Sequence, residues 1–233
     1  MSLKSREFSY HLVLAQYVRE DQKYADFYEE RSARGDFLML DNGAAENTTL
    51  RLHELMHAAE TVKPSEIVLP DVMMNKKATL AAGFDEAVLR GIPERMRAVC
   101  PQGDSIDEWF ECAHLFRDGM DFATMCVPKH LERFEGGRAA VLQRMTDHYW
   151  HELYNIHLLG IWGNPFTEVM SFKPYLKVVR GIDTALPFAL AQNGLTLDWH
   201  TEEHVSHKWG GKFKKSLALP NAETLFNWVW SYE

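Results

Sequence analysis

Seven times along this chain an apolar run ends in a polar or glycine signature and gives way to a stretch with helical spacing. The runs cover residues 11–18, 37–43, 66–71, 95–103, 122–128, 155–163 and 181–188. Near-continuous apolar runs are what parallel strands carry when helices cover both faces. Their alternation with helices means α/β. Helices are expected over 20–35, closed by Gly35, over 48–62, ended by Pro64, and over 75–90, closed by Gly91. Ser105 and Glu108 suggest a capping box for a helix to about residue 118. Gly136 and Gly137 precede a helix to about Trp150, and residues 165–179 read as a helix broken by Pro174. Seven strands with a possible irregular eighth favour a TIM-like (β/α)8 barrel over an open sheet. No linker, repeat or low-complexity segment interrupts the pattern, so residues 1–233 are expected to form one barrel domain. Its core would be residues 37–192, followed by a basic, aromatic segment over 193–233 that ends in a helix candidate.

A formal net charge of −8 and a pI near 5.8 argue against a generally basic nucleic-acid binder, while leaving room for a local basic groove. Lys208, Lys212, Lys214 and Lys215, interleaved with Trp209 and Phe213, suit such a groove: phosphate contacts with base stacking. A solvated basic loop is the plainer reading. The apolar runs are too short to span a bilayer, and the first residues lack a signal-peptide core. Cys100, Cys112 and Cys126 form neither a CxxC pair nor an even set, so a reducing, cytoplasmic setting is expected, with the three thiols filling core.

The chemistry lies at the ends of the runs. Asp41-Asn42-Gly43, Asp71, Gln102-Gly103, Gly160 and Asp183 each follow an apolar run. In a barrel these C-terminal strand ends converge on one mouth. Two carboxylates permit double displacement at a sugar carbon, one as nucleophile and one handling protons. A further Asp and a Gln can read the edge of a planar heterocycle, and a glycine lets backbone approach a flat ring. Taken singly, each acid reads as a helix N-cap or a surface turn.

Those same residues resemble a family. Leu40-Asp41-Asn42-Gly43-Ala44 is similar to the D-S-G-[AG]-F-Q segment of tRNA-guanine transglycosylases. Pro70-Asp71 resembles their base-reading acid, Pro101-Gln102-Gly103 their V-Q-G segment, and Leu159-Gly160 their L-G-G segment. Asp183-Thr184-Ala185, with Phe188-Ala189-Leu190, resembles the D-S-A-x-Y-A-L pattern around the nucleophile. The motifs stand in the family's order across residues 37–192. The resemblance implies that Asp183 attacks C1′ of a nucleotide and expels guanine, leaving a covalent glycosyl-enzyme. It implies that Asp41 takes a proton from an incoming 7-deazaguanine. Asp71 and Gln102 would bind the base edge, with Asn42, Gly103 and the Gly160 backbone beside it. No cofactor is implied, and the target base must leave its stack.

Three departures bear on the substrate. Asn42 replaces a serine, Ala45 the stacking phenylalanine and Glu46 a glutamine. The family's cysteine-rich zinc signature, which helps hold tRNA, is absent. The smaller chain looks like the transglycosylase-like enzymes of phages and DNA-modification systems, which are associated with placing 7-deazaguanines in DNA. The resemblance therefore implies exchange of guanine in DNA, ahead of tRNA, for a 7-deazaguanine such as preQ0.

Two other readings compete. His53-Glu54-Leu55-Met56-His57 matches HExxH, which on a helix would set two imidazoles and a general base for a zinc peptidase. A barrel that binds a base or nucleotide without chemistry is the other. His200, His204 and His207 form a further His-rich stretch, more simply read as a polar turn.

Overall fold

A computed structural model describes residues 9–46, 50–161, 164–198, 201 and 214–230. The fold is α/β of the TIM-like kind, with parallel strands that follow one another through the sheet in chain order. The strands are β1 (Tyr10–Leu14), β2 (Phe37–Asp41), β3 (Glu66–Val68), β4 (Arg97–Val99), β5 (Thr124–Pro128), β6 (Asn155–Leu159) and β7 (Val179–Ile182). The helices are α1 (Ala15–Glu20), α2 (Gln22–Ala33), α3 (Leu52–Val62), α4 (Lys76–Gly83), α5 (Glu86–Gly91) and α6 (Ile106–Gly119). Then come α7 (Gly137–Asp147), α8 (Trp150–Leu153), α9 (Pro165–Phe172), α10 (Leu186–Gln192) and α11 (Lys215–Trp230). The described residues contain no eighth strand. None of their helices is long and apolar enough to cross a membrane.

The chain divides into two compact units. One comprises Phe8–Val127 with Glu152–His157; the other, among the described residues, Pro128–His151 and the chain from Leu158 onward. In the first unit the strands β1 to β5 pair in parallel, Leu14 opposite Asp41 and Val99 opposite Met125. Val13, Leu38, Met39, Leu40, Ala98, Val99 and Met125 are wholly buried. Truncating a leucine there costs about 2–5 kcal/mol. Two polar pairs lie among them. Thr124 Oγ1 donates to Glu66 Oε2 at 2.6 Å, and the Tyr10 hydroxyl lies 3.0 Å from His157 Nδ1.

The first strand is shorter than its apolar run. β2 ends at Asp41, and Gly43 takes a left-handed φ of 81°, so β1 loses its partner after Leu14. The Leu14 N–H then donates to the Tyr24 hydroxyl at 3.0 Å, and the chain turns into α1. The single helix expected over 75–90 is two. Asp85 breaks it by accepting from the Ala87 and Val88 amides at the start of α5. The capping box is half as expected. Ser105 Oγ accepts the Glu108 amide at 3.1 Å, but the Glu108 carboxylate reaches past Ser105 to the Asp104 amide at 2.9 Å. The helix after Gly137 stops at Asp147, and Tyr149, at φ 57°, separates it from α8.

In the second unit α10 packs on α11. Asn221 is 1% exposed; it accepts the Leu197 amide at 2.7 Å and donates to the Pro187 and Leu195 carbonyls. The helix candidate at the end of the chain is α11, which carries Pro220 inside.

Candidate active site

In the first unit Asp41 is the last residue of β2, and Asn42, Asp71 and Gln102 follow β2, β3 and β4 and meet at those strand ends. Asp71 is the hub. Its Oδ1 accepts Asn42 Nδ2 at 2.7 Å and its Oδ2 accepts Gln102 Nε2 at 2.6 Å. Both amides are fixed from behind. Asn42 Nδ2 also donates to the Leu69 carbonyl, and Asn42 Oδ1 accepts the Ala44 amide at 2.8 Å. Gln102 Oε1 accepts the Met74 amide at 3.0 Å. Gln102 is 1% exposed and Asn42 6%, so neither rotates freely.

Burial pushes the Asp71 carboxyl up to about 6; the hydrogen bonds from Asn42, Gln102 and Cys100 oppose the shift without cancelling it. Cys100, which the sequence reading placed in the core, lies against this acid. Gln102 Nε2 is 3.4 Å from its Sγ, and burial, then the Asp71 charge, push its thiol well above the ordinary range. Cys112 and Cys126 are buried core residues as expected.

Asp41 ends β2 at 9% exposure; burial raises the Tyr24 hydroxyl, and the Tyr28 and, least, the Asp41 charges add to it. Gly103 has a packing reason of its own. A Cβ there would lie 2.5 Å from the Trp109 amide nitrogen, inside the first turn of α6. The loop after Asp71 exposes three apolar side chains, Val72 at 41%, Met73 at 36% and Met74 at 38%. The loop is nonetheless held. Thr79 Oγ1 accepts the Val72 amide and donates to the Val72 carbonyl, and Met74 sits at φ 55°.

The second unit brings Gly160 and Asp183 together. The Asp183 amide donates to the Leu158 carbonyl at 3.3 Å, and the Gly160 amide donates to Asp183 Oδ1 at 3.1 Å. The resemblance aims that amide at the base; here it holds the acid. Gly160 has a φ of 67°, and a Cβ on it would come within 2.9 Å of Lys129 Cδ. Arg138 fixes the same backbone from its carbonyl side, donating Nη1 to Leu159 O at 3.1 Å and Nη2 to Gly160 O at 2.8 Å. Arg138 pairs with Glu168; the two are 0% and 2% exposed. Nothing in local spacing marks Arg138 or Glu168 as buried, so sequence reading did not find them. Thr184 Oγ1 accepts the Leu186 amide at the start of α10.

Among the basic residues Lys214 is exposed, and Lys215 opens α11. Lys208 and Lys212 lie outside the described residues, as do His200, His204 and His207. The HExxH stretch lies on α3 with a different job. Glu54 accepts the Arg51 amide in a capping box and pairs with Arg51 and Arg19. Arg51's hydrogen bonds hold the Glu54 carboxyl down to about 2, a poor general base. His53 and His57 are exposed, and the described residues contain no group of three or more His, Cys, Asp or Glu able to hold a metal.

No protein-family model matches this chain, and no curated protein is detectably similar to it.

Proposed function

We propose that this chain is a base-exchange transglycosylase. It would replace guanine in a nucleic acid, DNA ahead of tRNA, with a 7-deazaguanine such as preQ0. The observation that carries the reading is the Asp71 carboxylate locked between the Asn42 and Gln102 amides. Each of its oxygens is held by one side-chain amide and keeps further acceptor capacity. Two adjacent N–H donors on a planar ring, the lactam N–H and exocyclic amine of a guanine edge, complement that acceptor pair.

The remaining roles come from the resemblance. Asp183 attacks C1′, and the C1′–N9 bond breaks as the ester to the sugar forms. Asp41 gives its proton to the departing guanine. The resulting carboxylate then takes the N9 proton of the incoming 7-deazaguanine. That nitrogen attacks C1′ and displaces Asp183.

The test is a labelled preQ0 exchange assay on DNA and tRNA side by side, with a denaturing gel to trap the adduct. Label entering DNA, with an adduct lost in Asp183→Ala, is the expected result. No label in either nucleic acid overturns the reading. Tight base binding with neither adduct nor exchange would make the chain a binding barrel.

A further inference from the structure

Gln16 is the second residue of α1, the helix that follows β1. It is 4% exposed, yet neither its Oε1 nor its Nε2 has a hydrogen-bond partner among the described residues. Buried amides are nearly always satisfied, because an unpaired one forfeits its water without compensation. A site that keeps such a group has a use for it.

Its place says which use. The amide lies against Gly43, where a Cβ would come within 2.7 Å of Oε1 and 3.2 Å of Cδ. Gly43 is the left-handed turn between Asp41-Asn42 and the short helical turn Ala44–Glu46. The carboxamide therefore lies against the turn that carries Asp41 and Asn42, and Asn42 grips Asp71. The turn borders solvent, with Ala44 partly open and Ala45 exposed. The β1 end thus contributes a polar group to the same rim as the ends of β2, β3 and β4. Asp71 as a carboxylate only accepts, whereas a carboxamide offers a donor and an acceptor side by side.

We infer that Gln16 is a base-reading residue, its amide pairing with a donor–acceptor edge of the planar heterocycle held at Asp71. This rests on the proposed base exchange. It adds a contact outside the motifs that carry the resemblance, and one that no acid of the cluster duplicates.

The experiment compares wild type with Gln16→Leu by calorimetric titration with preQ0 and by thermal unfolding of the free protein. Removing a buried, unpartnered amide is expected to leave the free protein's Tm unchanged or raised. The same change is expected to weaken preQ0 binding roughly tenfold, the worth of about one neutral hydrogen bond. In the exchange assay KM for the base rises while kcat holds. Gln16→Met, unbranched like glutamine, replaces Leu if the leucine variant does not fold. Unchanged preQ0 affinity in the variant, or a lowered Tm with unchanged affinity, overturns the role of Gln16 and leaves the exchange reading standing. A wild-type protein that neither binds preQ0 nor exchanges it overturns that reading and the role of Gln16 with it.

Discussion

Asp71 in the first unit and Asp183 in the second both follow a strand, yet different donors hold them. Asp71 is gripped by two side-chain amides, Asn42 and Gln102, at 2.7 and 2.6 Å. Asp183 is held at Oδ1 by a backbone amide, that of Gly160 at 3.1 Å. A side-chain donor is deleted by one substitution. A backbone donor can only be mis-aimed, through the glycine that carries it or the groups that brace that glycine. Asp71 is therefore vulnerable at its immediate partners. The Gly160 contact to Asp183 is vulnerable one step away, at Gly160 and at the Arg138–Glu168 pair.

The largest effect expected from this contrast is at Arg138. Arg138→Met takes the guanidinium from the buried Glu168 and should cost about 3–5 kcal/mol in urea unfolding. Arg138→Met with Glu168→Leu should recover most of that stability, because an apolar pair replaces a charged one. The double variant should still form the Asp183 adduct slowly, since the Leu159 and Gly160 carbonyls have lost their donors. Wild-type adduct rates in the double variant would break the comparison.

The next effect is the pH response of Asp71. Its folded pKa of about 6 lies above the ordinary 3.8, so between these values the folded chain binds a proton that the unfolded chain does not. Its contribution to stability is thus present at low pH and fades as pH rises through that window, by about 3 kcal/mol. Asp71→Asn should flatten this part of the pH–stability curve. preQ0 affinity should run the other way, falling as pH drops below about 6 and the acceptor is protonated. A wild-type and Asp71→Asn pair with parallel pH–stability curves would remove the distinction.

Smaller still is Gly160→Ala. The left-handed φ of 67° should cost about 1–2 kcal/mol with any Cβ. The Lys129 side chain can yield, so Lys129→Ala should rescue little of the loss. Full rescue in a thermal melt would assign the cost to the clash and not to the backbone. Smallest is the pair His53→Ala and His57→Ala on the exposed face of α3. Each should change stability by less than about 0.5 kcal/mol and leave exchange untouched.

The strand-end residues were legible because each sits where an apolar run stops. Asp41 ends its strand, and Asp71, Gln102 and Asp183 follow theirs, as the runs implied. The features that escaped depend on partners far away in sequence. Arg138 and Glu168 are ordinary charged residues on α7 and α9 until they meet each other and Phe172, whose ring lies 5.9 Å from the guanidinium carbon. Gln16 was hidden inside an apolar run read as strand through Val18. Only the end of β2 at Asp41 cuts that strand at Leu14. The division of the 75–90 helix had a legible signal, Asp85 as N-cap, masked by continuous apolar spacing on both sides.

Gln102 grips Asp71 with its nitrogen and pins the Met74 backbone with its oxygen. One planar group thus joins the acid to an apolar loop, and a rotation that frees either contact strains the other. The loop therefore works as a gauge of the acid. A ligand that steadies Asp71 is therefore expected to slow hydrogen exchange of the Met74 amide, the proton that Gln102 holds.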